Sequence, residues 1–252
     1  MAISSRKSVF AARCRLNSIL KPFFTAILVM TCCIVSANAE EWDHEYLGTE
    51  MLTSPWAVIQ PSRITTDPPQ TWAQVNGSLG DTYMDLVSPQ WAPESTFTIE
   101  FGLNIVTAGG PGKWSQGLYV LAGPNLAWEI LVDANRVSIF GATSAGYAGS
   151  IGLNVPNTFR FIVTDGVGEL YLNNNGTPII SGISGHSAYP GLTELYVGDY
   201  GGSLTGDGQW DYLKWNNSQA IAVPEPSTLM SLAFGTLLVV MFSLKARRKV
   251  GL

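Results

Sequence analysis

In the stretch FTIEFGLNI, residues 97–105, apolar Phe97, Ile99, Phe101, Leu103 and Ile105 alternate with Thr98, Glu100, Gly102 and Asn104. A repeat of two sends successive side chains to opposite faces, so this stretch predicts a strand with one face on a core and the other toward water. Comparable runs recur as TYMDLV, GLYVL, AWEILVD, RVSIFG, TFRFIVT, ELYLNN, ELYVGD and WDYLKW. Asp133-Ala134-Asn135, Asp165-Gly166 and Asn175-Gly176 supply turn residues between them. No window long enough carries the 3.6-residue repeat of an amphipathic helix, and there is no internal repeat. The expectation is one all-β domain, an antiparallel sandwich or jelly roll.

The alternation stops at both ends of the chain. Residues 228–244 carry no charge, and 17 residues in a helix reach roughly 26 Å, close to the thickness of a bilayer's hydrocarbon. Lys245, Arg247, Arg248 and Lys249 follow at once. Such a basic cluster prefers the cytoplasmic side and stops transfer there, so a transmembrane helix is expected with everything before it outside. At the other end, Arg6, Lys7, Arg13, Arg15 and Lys21 precede an apolar run from Phe23 to Val35 and then Ala37-Asn38-Ala39. That order reads as a secretory signal peptide over residues 1–39 with Ala37 and Ala39 at its cleavage site. An uncleaved anchor would need a longer apolar run.

Removing the ends changes the charge picture. Between Glu40 and Val223 there are 18 carboxylates against five cations, Arg63, Lys113, Arg136, Arg160 and Lys214, a net charge of −13. This excludes nucleic acid and anionic lipid surfaces as partners. Cys14, Cys32 and Cys33 all lie within residues 1–39, so the mature chain has no disulfide, thiol nucleophile or thiolate metal site.

Two resemblances add to this reading. Pro224-Glu225-Pro226-Ser227, the apolar span and Lys-Ala-Arg-Arg-Lys resemble the PEP-CTERM sorting signal of exopolysaccharide-producing Gram-negative bacteria. The resemblance implies transient anchoring in the inner membrane, an exosortase partner that recognises Pro224, Glu225 and Pro226, cleavage there, and delivery to the cell surface or extracellular matrix. The prolines themselves keep residues 223–226 extended and accessible. Asp165-Gly166, Tyr171-Leu172-Asn173-Asn174 and Gly208-Gln209-Trp210-Asp211-Tyr212 are similar to the closing strands of concanavalin A-like, laminin-G-like jelly rolls, with Asn174 where that family carries Gly. The implied organisation is a signal peptide over 1–39, a jelly-roll domain over 40–218, a linker over 219–223 and a sorting signal over 224–250 that contains the helix 228–244.

Catalytic apparatus is hard to find. Glu129 and Asp133 share a strand face but stand about 13 Å apart, beyond the separation of a glycosidase pair. His44 and His186 have no metal-ligand spacing, and the GGPGKW loop has Trp114 where a phosphate loop needs Ser or Thr. The expectation is a protein that is not an enzyme. Binding features are present instead. Trp114, Tyr147 and Tyr200 are flanked by glycines in expected loops, where an aromatic plane can pack against the apolar face of a sugar. No cofactor is required, although Asp199 and Asp207 are hard oxygen ligands of the kind calcium takes. Two readings follow: a non-catalytic module that binds extracellular polysaccharide, or a structural matrix protein with no small ligand, with a glycan hydrolase or lyase third. Convergence of Trp114, Tyr147 and Tyr200 on one exposed face discriminates the first two.

Overall fold

The structure, a computed structural model, describes residues 40–223 apart from 67–71, 78–79, 87–88, 124–125 and 188–191. The expected signal peptide with Ala37 and Ala39, the motif Pro224, Glu225 and Pro226, the helix 228–244 and the basic cluster Lys245, Arg247, Arg248 and Lys249 lie outside the described residues. No described helix is long and apolar enough to cross a membrane. Two compact units divide the chain, Met1–Glu41 and Trp42–Leu252, and every strand below belongs to the second.

The described strands run in the order β1 (His44–Leu47), β2 (Trp56–Ile59), β3 (Ile64–Thr65), β4 (Ala73–Asn76), β5 (Thr82–Leu86), β6 (Phe97–Ile105), β7 (Gln116–Ala122) and β8 (Ala127–Asp133). They continue with β9 (Arg136–Phe140), β10 (Ser144–Tyr147), β11 (Pro156–Thr164), β12 (Val167–Leu172), β13 (Ile180–Ser184), β14 (Thr193–Asp199) and β15 (Asp207–Asn216). Two antiparallel sheets form a sandwich. One has the order β13-β12-β11-β6-β15-β4-β3, with β1 also on β15; the other has the order β10-β9-β8-β7-β14-β5-β2.

Alternation decides what lies between the sheets. From the first sheet come Phe97, Ile99, Phe101, Phe159, Phe161 and Leu213; from the second, Leu118, Val120, Trp128, Ile130, Leu195 and Val197; all are fully buried. Phe97 meets Trp128 across the gap edge to face at 5.7 Å, and Phe101 stacks on Phe159 at 5.0 Å. Without cysteines the domain rests on this apolar burial, at about 25 cal/mol per Å² removed from water. In WDYLKW the alternation is broken, because the register shifts between Trp210 and Tyr212. The extra residue of this bulge lets Trp210, Leu213 and Trp215 all face inward.

Turns follow the sequence with one correction. Asp165 and Gly166 both have positive φ, 50° and 78°, and close the β11–β12 hairpin as a two-residue turn. After β12 the left-handed residues are Asn173 and Asn174 (φ 52° and 55°), two residues earlier than the expected Asn175-Gly176 turn. Asn tolerates that conformation, so it replaces Gly there.

The outer face of the first sheet is covered around Glu100. Glu100 is buried on it, bound by Arg160 Nε at 2.6 Å, by Lys214 at 2.9 Å and by the Tyr212 hydroxyl at 3.0 Å. Burial works to raise the Glu100 pKa, but Lys214 and Arg160 outweigh it and the net shift is downward. The Trp42 ring lies against both cations. Residues 219–223, expected as a linker, are held on the same face. The Thr98 hydroxyl donates to the Gln219 carbonyl (2.7 Å) and accepts from the Ile221 amide (2.8 Å), Arg160 donates to the Ala222 carbonyl (3.0 Å), and Val223 is buried. The folded domain therefore reaches residue 223 and not 218.

Candidate functional site

The outer face of the second sheet is open and carries the opposite chemistry. Cross-strand partners form a row on it: Asp85 of β5 opposite Tyr196 of β14, Tyr196 opposite Tyr119 of β7, Tyr119 opposite Glu129 of β8, and Glu129 opposite Phe140 of β9. In the next row Tyr83 is followed by Gly198, Gly117 and Leu131. The two glycines leave the sheet bare, and Tyr200 fills the space. Its hydroxyl would stand 2.5 Å from a Cβ at position 117, so only Gly117 admits the ring.

These rings form one tyrosine cluster. Tyr119 stacks on Tyr200 at 5.9 Å, Tyr119 and Tyr196 are 6.1 Å apart, Tyr196 and Tyr200 6.3 Å, and Tyr83 meets Tyr196 edge on at 5.6 Å. Beside them opens a depression of about 400 Å³ lined by Tyr83, Tyr119, Glu129, Leu192, Tyr196, Tyr200 and Gly201. Its lining comes from β14 and the residues on either side of it, Leu192 and Gly201, and from the neighbouring strands β5, β7 and β8.

Glu129 lines the trough, and Asp85 and Glu194 lie on the same sheet face beside Tyr196. Burial raises the Glu129 pKa, and the nearby Tyr200 hydroxyl only partly offsets this. Asp85 is pushed up to about 6 by burial and by the charge of Glu194, and its Oδ1 is buried without a hydrogen-bond partner among the described residues. Glu194 accepts a hydrogen bond from Tyr196. Burial, together with Asp85, Asp81 and Glu194, raises Tyr83 as well. Tyr83, Tyr196 and Tyr200, all raised above the ordinary phenol value, stay protonated at neutral pH, and the Tyr196 hydroxyl donates to Glu194.

Of the three aromatics expected at a site, only Tyr200 lines the trough. Trp114 is half-buried, its ring covered by the Arg136 guanidinium at 4.0 Å. Arg136 also donates to the Lys113 carbonyl and pairs with Asp133 at 3.7 Å, so Trp114 ties its loop to the β8–β9 turn. Tyr147 belongs to edge strand β10 and not to a loop, and it packs against the core. Register places all three toward the same end of the sheet, but Trp114 and Tyr147 do not line the trough. The convergence criterion is not met by this trio. It is met by Tyr200 with Tyr83, Tyr119 and Tyr196, which sequence reasoning passed over. Their signal was present, since each is an aromatic on the polar phase of its run, in TYMDLV, GLYVL and ELYVGD.

Asp199 closes β14 fully buried, with Oδ2 unpartnered among the described residues, and Asp207 opens β15 half-buried on the other sheet. Among the described residues no group of three or more His, Cys, Asp or Glu gathers in a metal-binding arrangement.

The comparisons bear on two parts of the chain. Residues 222–249 match the PEP-CTERM protein-sorting motif. That motif implies export and exosortase-directed sorting, and its first residue, Ala222, is one already bonded to the sandwich. No curated protein matches the sequence. Among solved structures, the chain is similar to a carbohydrate esterase from Shiga toxin-encoding bacteriophage phi24B, at 12% identity and TM-score 0.50 over 71% of this chain and 99% of that one. It is also similar to the carbohydrate binding module CBM66 from Bacillus subtilis, at 18% identity and TM-score 0.44 over 64% and 94%. A third is the botulinum neurotoxin serotype D binding domain, at 9% identity and TM-score 0.47 over 69% and 48%. At these identities the likeness is one of fold alone.

Proposed function

We propose that this chain is an exported, exosortase-sorted protein of the cell surface or extracellular matrix whose jelly-roll sandwich, of the concanavalin A-like kind, binds polysaccharide without cleaving it. The observation that carries the reading is the open trough with four tyrosines and acceptor carboxylates on an otherwise regular sheet face. Aromatic planes suit the apolar faces of sugar rings, and carboxylates and phenols suit their hydroxyls. On the first sheet's outer face, Trp42 and residues 219–223 lie over the region around Glu100. Export through the sorting motif is consistent with the same reading.

A binding role fits the acid spacing better than hydrolysis. Asp85 and Glu129 are three strands apart, about 14 Å at roughly 4.8 Å per strand, against 5–10 Å for a glycosidase pair. Glu194 is nearer to Asp85 but is engaged by Tyr196. A glycan array of the full chain in detergent, with and without calcium, tests the reading. Tyr119→Ala and Tyr196→Ala should each weaken capture by about 1 kcal/mol, whereas Trp114→Ala, outside the trough, should leave it unchanged. Reducing ends released from a bound polysaccharide would overturn the non-catalytic reading, and an array with no binder would return the protein to a purely structural role.

A further inference from the structure

Resting on that carbohydrate reading, we propose that the trough is built for a cationic glycan, one whose sugars carry free amines. The argument begins with where the domain's five cations go. Arg160 and Lys214 hold Glu100 on the first sheet, and Arg136 covers Trp114. Lys113 donates to the Gly202 carbonyl at 2.6 Å, and the charge of Arg63 acts on Asp199. None of them lines the trough.

The contrast between the two faces is the decisive point. Where a carboxylate is buried under the protein's own segments, as Glu100 is, two cations and a phenol satisfy it. Where the face is open, Glu129 and Asp85 are desolvated beside aromatic rings, and Asp85 Oδ1 has no hydrogen-bond partner among the described residues. A neutral ligand covering this face would desolvate those charges further without pairing them, which is costly. A ligand bearing ammonium groups pairs them, and the same ammonium groups lie favourably against tyrosine faces. An acid-edged aromatic trough in a domain of net charge −13 therefore selects amino sugars over neutral sugars and rejects uronic acids.

The test compares two probes on the full chain in detergent: a hexamer of glucosamine and the same hexamer N-acetylated, by calorimetry just below neutral pH, where Asp85, raised to about 6, is still mostly ionised. The amine form should bind at least tenfold tighter, and added salt should narrow the gap. Glu129→Gln should cut the ratio of the two affinities at least threefold. Asp165→Asn, on the β11–β12 turn of the other sheet, should leave that ratio alone, which removes the general attraction between a polycation and an acidic protein. Hexalysine binding as tightly as the amine hexamer, with the same dependence on Glu129, would overturn the proposal by showing that sugar rings are not needed. Equal affinity for the two hexamers, or an unchanged ratio in Glu129→Gln, would overturn it while leaving the carbohydrate reading in place. Binding of neither would overturn both.

Discussion

At the scale of single residues, Asp199 is the clearest source of pH dependence. It is fully buried, and burial raises its pKa to about 7, with the Gly201 amide and Arg63 working against burial and Asp81 with it. In the unfolded chain an Asp titrates near 3.9. From about pH 4 to pH 7 the folded state therefore holds a proton that the unfolded state has released, so stability falls as pH rises through that window and levels above it. Asp199→Asn should remove most of that slope and raise stability at pH 8 by about 2 kcal/mol, several degrees in Tm. Asp85, raised to about 6, should leave a smaller slope of the same sign. Thermal melts between pH 5 and pH 8 check this, and a variant as pH-dependent as the wild type would contradict it. Repeating the melts with calcium tests the expectation of that ion at Asp199: a bound cation would hold up the wild type at pH 8 and do nothing for the variant.

At the scale of elements, what was legible in the sequence depended on strand length. The nine-residue alternation of β6 and the runs at β5, β7, β8, β9, β11, β12, β14 and β15 announce themselves, because each gives several turns of a two-residue period. The strands β1, β2, β3, β4, β10 and β13 have two to five residues and lie at or near sheet edges, too short for alternation to register. The trough was illegible for a different reason. Tyr83, Tyr119 and Tyr196 are far apart in the chain, and only strand order and register set them side by side, while glycine-flanked loops drew attention to Trp114 and Tyr147. Residues 219–223 read as a linker because their partner is a side chain and not a strand. Thr98 stands in for a strand there, donating to Gln219 and accepting from Ile221. Thr98→Val keeps the shape but loses both bonds, at a cost of about 1–3 kcal/mol for the groups left without partners. The Ile221 amide should then exchange with solvent at least fivefold faster while the core amides of β6 keep their protection, and unchanged protection at Ile221 would show that the segment is held by something else.

At the scale of the whole molecule, the position of the sorting motif relative to the domain sets the last expectation. The motif spans residues 222–249, and Ala222 and Val223 are still held on the first sheet, so no loose spacer separates the sandwich from Pro224-Glu225-Pro226. A processing enzyme working at that tripeptide meets the substrate immediately beside a folded domain carrying 18 carboxylates against five cations. After cleavage the strap through Val223 should stay on the sandwich, because Thr98 and Arg160 hold it independently of the apolar tail. The exported protein is therefore expected to lack residues 228–252, to keep residues up to 223 and to remain folded. Mass spectrometry of the surface fraction reads this directly. An exported chain that still yields the peptide with Arg247, Arg248 and Lys249 would refute processing, and one trimmed back to residue 218 would refute the strap.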